Sequence, residues 1–158
     1  MTTKQWSFTI YYNYNFKEKD RKSVRTRDWA EAQREKTLGF LERLFENKAR
    51  FSCIAKDQGV NTLTLRGYVN LNSPCKTDYI RRLLGLKLKF SNCRPSYFGD
   101  MVQLCRLLHI DRNLSVTGRL PCGNSGGNKK LKSFTGDPKI VVKVLLEAMD
   151  KDSYNKFS

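Results

Sequence analysis

Residues Asn61 to Leu71 read N-T-L-T-L-R-G-Y-V-N-L, the alternation of a half-buried strand with Leu63 and Leu65 on one face. Two residues in it are not explained by strand formation. Arg66 carries a planar, permanently charged fork that matches phosphate or carboxylate oxygens. Gly67 weakens a strand, and in that position marks a bulge or a place where another group comes close to the backbone. Metal chemistry finds less support. Cys53, Cys75, Cys93, Cys105 and Cys122 are five thiols at wide spacings without a C-x-x-C pair, and His109 is the single histidine. Those spacings do not suit a zinc site, so reduced core thiols in a reducing compartment are expected. His109, near a helix end, reads as a surface or capping group.

Around these residues the charge is strongly one-sided. Lys and Arg total 30 against 15 Asp and Glu, a formal net charge of +15. An excess of this size exceeds what solubility requires and attracts polyanions, nucleic acid first among them. An acidic protein or an anionic membrane surface is the alternative. The basic residues fall in runs: Lys17 to Arg27, which includes Arg21; the pair Arg81 and Arg82; Lys87 with Lys89; and Lys129 with Lys130 in a Gly-rich segment at 122–133. Tyr11, Tyr12 and Tyr14 lie next to the first run, where they could stack on unpaired bases or equally belong to the core. Trp6, Phe8 and Ile10 read as core. The opening M-T-T-K-Q-W-S-F-T-I-Y-Y is too polar for a signal peptide, and no apolar run approaches a membrane span, so an intracellular protein is expected.

The elements that must position these residues follow from periodicity and punctuation. Trp6 to Tyr12 reads as an aromatic and β-branched strand. Trp29, Ala32, Lys36 and Phe40, extended by Leu41, Leu44 and Phe45, predict a helix from Asp28 to about Asn47. Arg50 to Asp57 and Thr62 to Leu71 form a hairpin about a G-V-N turn. Ser73 and Pro74 open a second helix that Gly85 ends. Leu86 to Phe90 alternates as a fourth strand, running on through S-N-C. Ser96 to Ile110 is a third helix, N-L-S-V-T-G a short strand, and a last helix at about 138–151 opens at Asp137 and Pro138. The expected fold is α+β, a single domain with an antiparallel sheet and helices packed on it.

In this order the segments resemble the HUH endonuclease domain of replication initiators (Rep) from small circular single-stranded DNA viruses, the circoviruses and nanoviruses. W-S-F-T-I-Y-Y-N resembles the first motif of that family, T-L-R-G-Y-V-N-L the second, and M-V-Q-L-C-R-L-L-H-I-D the helix of the third. The match in order and spacing runs over about residues 6–125. The family nicks DNA by attack of a tyrosine hydroxyl on a phosphodiester, with a divalent metal polarising the phosphate.

The resemblance implies that Thr64 and Arg66 stand where the family has its paired metal ligands, with Leu65 between them. It puts Leu104 at the nucleophilic tyrosine, beside Cys105, and Leu107 at the lysine. Threonine is a poor ligand and arginine repels a cation. Asp57 is left as a lone carboxylate. Tyr79, with Arg82 after it, lies on the wrong helix. Tyr97 heads the right one, near Asp100, but is displaced from the usual place. The expectation is therefore a viral, Rep-like protein without catalytic residues, metal or cofactor. It would bind single-stranded or structured DNA or RNA through Arg66, Tyr12, Lys17, Arg21, Arg81, Arg82, Lys87, Lys89, Lys129 and Lys130, in the host nucleus or cytoplasm. A nicking enzyme with atypical residues, and a basic scaffold for a host or viral protein, are the alternatives.

Overall fold

The computed structural model describes residues 2–15, 25–84, 91–120 and 136–157, with side chains described as far as residue 151. Five strands form one antiparallel sheet: β1 (Thr3–Asn13), β2 (Ala49–Gly59), β3 (Thr62–Cys75), β4 (Ser91–Pro95) and β5 (Ser115–Gly118), in the spatial order β4-β1-β3-β2-β5. The described helices are α1 (Arg27–Lys48), α2 (Thr77–Leu83), α3 (Asp100–Ile110) and α4 (Pro138–Phe157). The expected α+β class holds, and among the described residues no helix is long and apolar enough to cross a membrane.

The two sides of the sheet are filled differently. Residues paired directly across neighbouring strands point to the same side, so the register sorts every side chain. Trp6, Phe8, Ile10 and Tyr12 of β1 share one side with Leu63, Leu65, Val69 and Leu71 of β3. α1 covers that side with Ala30, Leu38, Leu41 and Phe45, all buried. Burying each large apolar side chain stabilises the fold by about 1.5–3 kcal/mol, so α1 is held chiefly by this stripe. Its start is fixed by Thr26, whose hydroxyl accepts the Trp29 N–H at 3.1 Å.

On the other side, among the described residues, the apolar contacts of α3 and α4 fall on the half nearest β2 and β5. Leu104, Leu107, Leu108 and Val141 pack there against Phe51, Cys53, Ala55 and Tyr68. The half made by β1 and β4 carries Ser7, Thr9 and Tyr11, facing Arg94 and Asn92 across the β1–β4 pairing.

Several local expectations need correction. β3 continues past Leu71 to Cys75, and α2 begins at Thr77 with Lys76 as its N-cap, so Ser73 and Pro74 do not open a helix. Beyond Leu71 the strand has lost β2 as a partner. Between the Gln5–Asn70 and Thr3–Cys75 pairs, β1 advances two residues while β3 advances five. Pro74 falls inside that irregularity, where a missing N–H breaks no ladder. α3 starts at Asp100, not Ser96. The Ser96 hydroxyl donates to Phe98 O at 2.8 Å and accepts Phe98 N–H at 3.3 Å, a local turn that competes with helix. The strand on the far side of β1 is Ser91–Pro95, whereas the expected strand at 86–90 lies outside the described residues.

Candidate nucleic-acid interface

Thr64 and Arg66 sit on the same side of β3, as alternate strand residues must, and opposite them on β2 stand Asp57 and Ala55. Arg66 reaches diagonally to Asp57, with Nε 3.0 Å from Oδ2. Asp57 Oδ1 accepts the Gln58 N–H at 2.8 Å, so both carboxylate oxygens are engaged. Thr64 is 3% exposed, and among the described residues its hydroxyl oxygen meets no hydrogen-bond partner.

The metal implied by the Rep resemblance does not fit these residues. One position offers a buried hydroxyl, and the other a guanidinium already paired with the only nearby carboxylate named for the role. Among the described residues no group of three His, Cys, Asp or Glu side chains comes together.

Gly67 has a definite neighbour. It pairs across the sheet with Phe8, and a Cβ added at Gly67 would lie 2.1 Å from the tip of the Phe8 ring. The group that comes close to this backbone is the protein's own aromatic core. The glycine is needed because the ring lies flat over the strand.

A groove of about 650 Å³ opens beside Arg66, between the β1–β4 half of the sheet and α3. Arg66 comes from β3, Arg94 from β4, and Arg106 with His109 from α3; Ser7, Thr9 and Asn92 add neutral polar groups. Among its described lining residues there is no carboxylate. Arg106 sits over the Phe98 ring, 5.4 Å from the centroid. Three arginines from three elements thus line one concave surface, a lining suited to phosphate or carboxylate oxygens.

A polar network holds α3 at its distance from the sheet. Asp100 is 5% exposed and accepts from Tyr68 Oη at 2.5 Å and from Asn70 Nδ2 at 3.2 Å. Gln103 Nε2 donates to Ser96 Oγ at 2.8 Å and to Ser7 Oγ at 3.2 Å. Burial first, and then the bond to Asp100, raise the Tyr68 phenol above its ordinary range, so it stays a neutral donor. Burial likewise raises the Cys53 thiol, and it pushes Cys93 up to about 11 against a partial opposing pull from Arg81. These thiols are protonated core groups.

The structure brings together only part of the residue set expected from sequence. Arg66 lies in the groove. Tyr12 does not: it is 5% exposed, packed under α1, with its hydroxyl donating to Thr37 Oγ1 at 2.5 Å, so the expectation that it stacks on bases is corrected. On β1 the even-numbered residues face α1, and Tyr11, one residue earlier, is the one on the Arg66 side. Arg82 lines a different groove with Lys48 and Lys76, and Arg81 lies near Cys93, so this pair does not join Arg66. Lys17, Arg21, Lys87, Lys89, Lys129 and Lys130 lie outside the described residues. Leu104 is fully buried in the core under α3, while Leu107 reaches the groove edge. Tyr79 is on α2 and far from this face; Tyr97 stands before α3 rather than at its head, 92% exposed.

Arg94, Arg106, Tyr97 and Phe98 were not among the expected binding residues. Arg94 was within reach of the strand alternation that places Asn92 and Arg94 on one side. Arg106 follows Gln103 by three residues and so shares its helix face. No protein-family model matches this chain, and no curated protein matches it significantly.

Proposed function

We propose that this protein is a non-catalytic nucleic-acid-binding domain, Rep-like and of viral origin, that holds single-stranded or structured DNA or RNA in the groove beside Arg66. One observation carries the reading: Arg66, Arg94 and Arg106 come from three separate elements to line a single groove that has no carboxylate among its described lining residues. Asp57 already offsets the charge of Arg66, but among the described residues no ion pair offsets Arg94 or Arg106, and a polyanion would do so. The net charge of +15 adds a long-range field that draws such a partner in. The pairing of Arg66 with Asp57 argues against a nicking centre, since a phosphate there would meet a guanidinium in place of a metal ion.

The test is a salt titration of binding to a fluorescent oligothymidine. Each single-strand phosphate contact contributes a slope of about −0.7 in log K against log salt. With about five contacts, a fourfold rise in salt lowers affinity by about a hundredfold. Arg66→Ala should weaken binding and make the slope shallower by about one contact. A salt-insensitive affinity, or a variant that binds like the parent, overturns the reading in favour of a protein partner. A covalent protein–oligonucleotide adduct formed with manganese or magnesium would overturn its non-catalytic part.

A further inference from the structure

Two aromatic rings at the rim of the groove belong to neither hydrophobic core cluster of the described residues. Tyr97 is 92% exposed and Phe98 50% exposed, side by side, and both line the groove that contains the three arginines. Single exposed apolar residues are ordinary, but an adjacent aromatic pair beside a basic groove is a concentration of unspent apolar surface. The backbone that carries the pair is tied down on both sides. On the N-terminal side Ser96 N–H donates to Gln5 O at 3.0 Å, and the Ser96 hydroxyl bonds both Phe98 and Gln103. On the C-terminal side Asp100 is held by Tyr68 and Asn70. The turn is therefore built and fixed, while it presents the Tyr97 ring to solvent and leaves Phe98 half-exposed. Arg106, stacked against Phe98, couples that ring to the cationic wall.

Resting on the nucleic-acid reading above, we infer that Tyr97 and Phe98 form a stacking platform for an unpaired nucleobase, with the adjoining phosphates on Arg66, Arg94 and Arg106. An aromatic platform beside a cationic track is the arrangement that grips single strands: bases supply π-faces and phosphates supply charge. Bases paired inside a duplex stack on one another and have no free face to offer Tyr97. The platform thus selects strands with unpaired bases over duplex of the same charge. A phenol or phenyl ring is equally able to stack, so the chemistry requires an aromatic side chain at position 97 and not a hydroxyl.

The experiment compares the full chain with Tyr97→Ala and Tyr97→Phe on three probes: oligothymidine, an abasic oligonucleotide of equal length, and a duplex of equal phosphate count. Since Tyr97 is 92% exposed, both variants should melt like the parent. Tyr97→Ala should lower affinity for oligothymidine by about fivefold to a hundredfold, the range for loss of one stacked base. It should leave the abasic probe, the duplex and the salt slope unchanged, and Tyr97→Phe should bind like the parent. Equal losses on all three probes, or none on oligothymidine, would overturn the platform while leaving the basic groove as proposed. A parent that binds none of the probes would overturn the nucleic-acid reading itself. Parent binding that is the same for oligothymidine and the abasic strand would also sink the platform, because no base would then be in contact.

Discussion

β3 shows two different relations between sequence and structure on its two sides. Toward α1 it presents Leu63, Leu65, Gly67, Val69 and Leu71, and the only irregular member, Gly67, is explained by the ring of Phe8. Toward α3 it presents Thr64, Arg66, Tyr68 and Asn70: a buried hydroxyl with no partner among the described residues, an ion pair, and two donors to Asp100. The first side is determined by volume and apolar contact, which many sequences could satisfy. The second is determined by particular polar partners, and its β1–β4 half lines the groove. In one strand, the side that holds the fold together and the side that is open to a ligand are separated by a single residue of register.

The sharpest way to test that separation is Tyr12, which belongs to the α1 side. Tyr12→Ala removes a buried ring and its bond to Thr37, and should destabilise by about 3–5 kcal/mol in a urea or guanidinium melt. Affinity per folded molecule for an oligonucleotide should not change. A stable Tyr12→Ala variant that binds weakly would mean the two sides are not separate. Gly67→Ala comes next. Its methyl group would overlap the Phe8 ring, and forcing a shift in a packed core costs about 1–3 kcal/mol. Combining it with Phe8→Leu should recover part of that loss relative to the sum of the single changes; strict additivity would show that the ring is not the obstacle.

The same contrast explains how much could be read from sequence. The α1 side was legible in part because periodicity reports burial: the alternation of Trp6, Phe8 and Ile10, and Leu41 with Phe45 on the helix, do lie in the core. The expected stripe through Ala32, Lys36 and Phe40 is exposed, and the buried face runs through Ala30 and Leu38 instead. Tyr12 was misread although its parity places it with Ile10, because its proximity to a basic run outweighed the alternation. The groove was legible only at Arg66. Arg94 and Arg106 are distant in sequence and meet through the β1–β4 pairing and the docking of α3 by Asp100 and Gln103, which no local pattern encodes. Pro74 misled for a different reason. Its capping signals are real, but the fold uses it at a strand irregularity where the missing N–H has no consequence.

Two smaller effects sharpen the open side. Thr64→Val replaces a buried hydroxyl that lacks a partner among the described residues by a methyl of the same shape. An unmet buried polar group costs about 1–3 kcal/mol, partly regained if the strand relaxes, so the variant should be more stable by about 1 kcal/mol. Destabilisation by a similar amount would reveal that the Thr64 hydroxyl does bond a group the described residues do not supply.

The smallest change, Asp57→Asn, distinguishes a phosphate site from a remnant metal site. The Arg66 and Asp57 side chains are 41% and 34% exposed, so their pairing contributes only about 0–1 kcal/mol to stability, and the melt should barely move. Binding should respond in the opposite direction to a loss of contact. In water-like surroundings a unit negative charge about 7 Å from a phosphate repels it by roughly 0.6 kcal/mol, and Asn removes that repulsion while leaving Arg66 in place. Affinity for oligothymidine at low salt should therefore rise about threefold, with the gain shrinking as salt screens the field. Were Asp57 instead a ligand for a divalent ion that bridges to the phosphate, the same substitution would weaken binding, and only when manganese or magnesium is present. Measuring the variant with and without chelator separates the two: a gain in affinity that ignores the metal keeps Arg66 as the phosphate-binding group, and a metal-dependent loss would return β3 to metal chemistry.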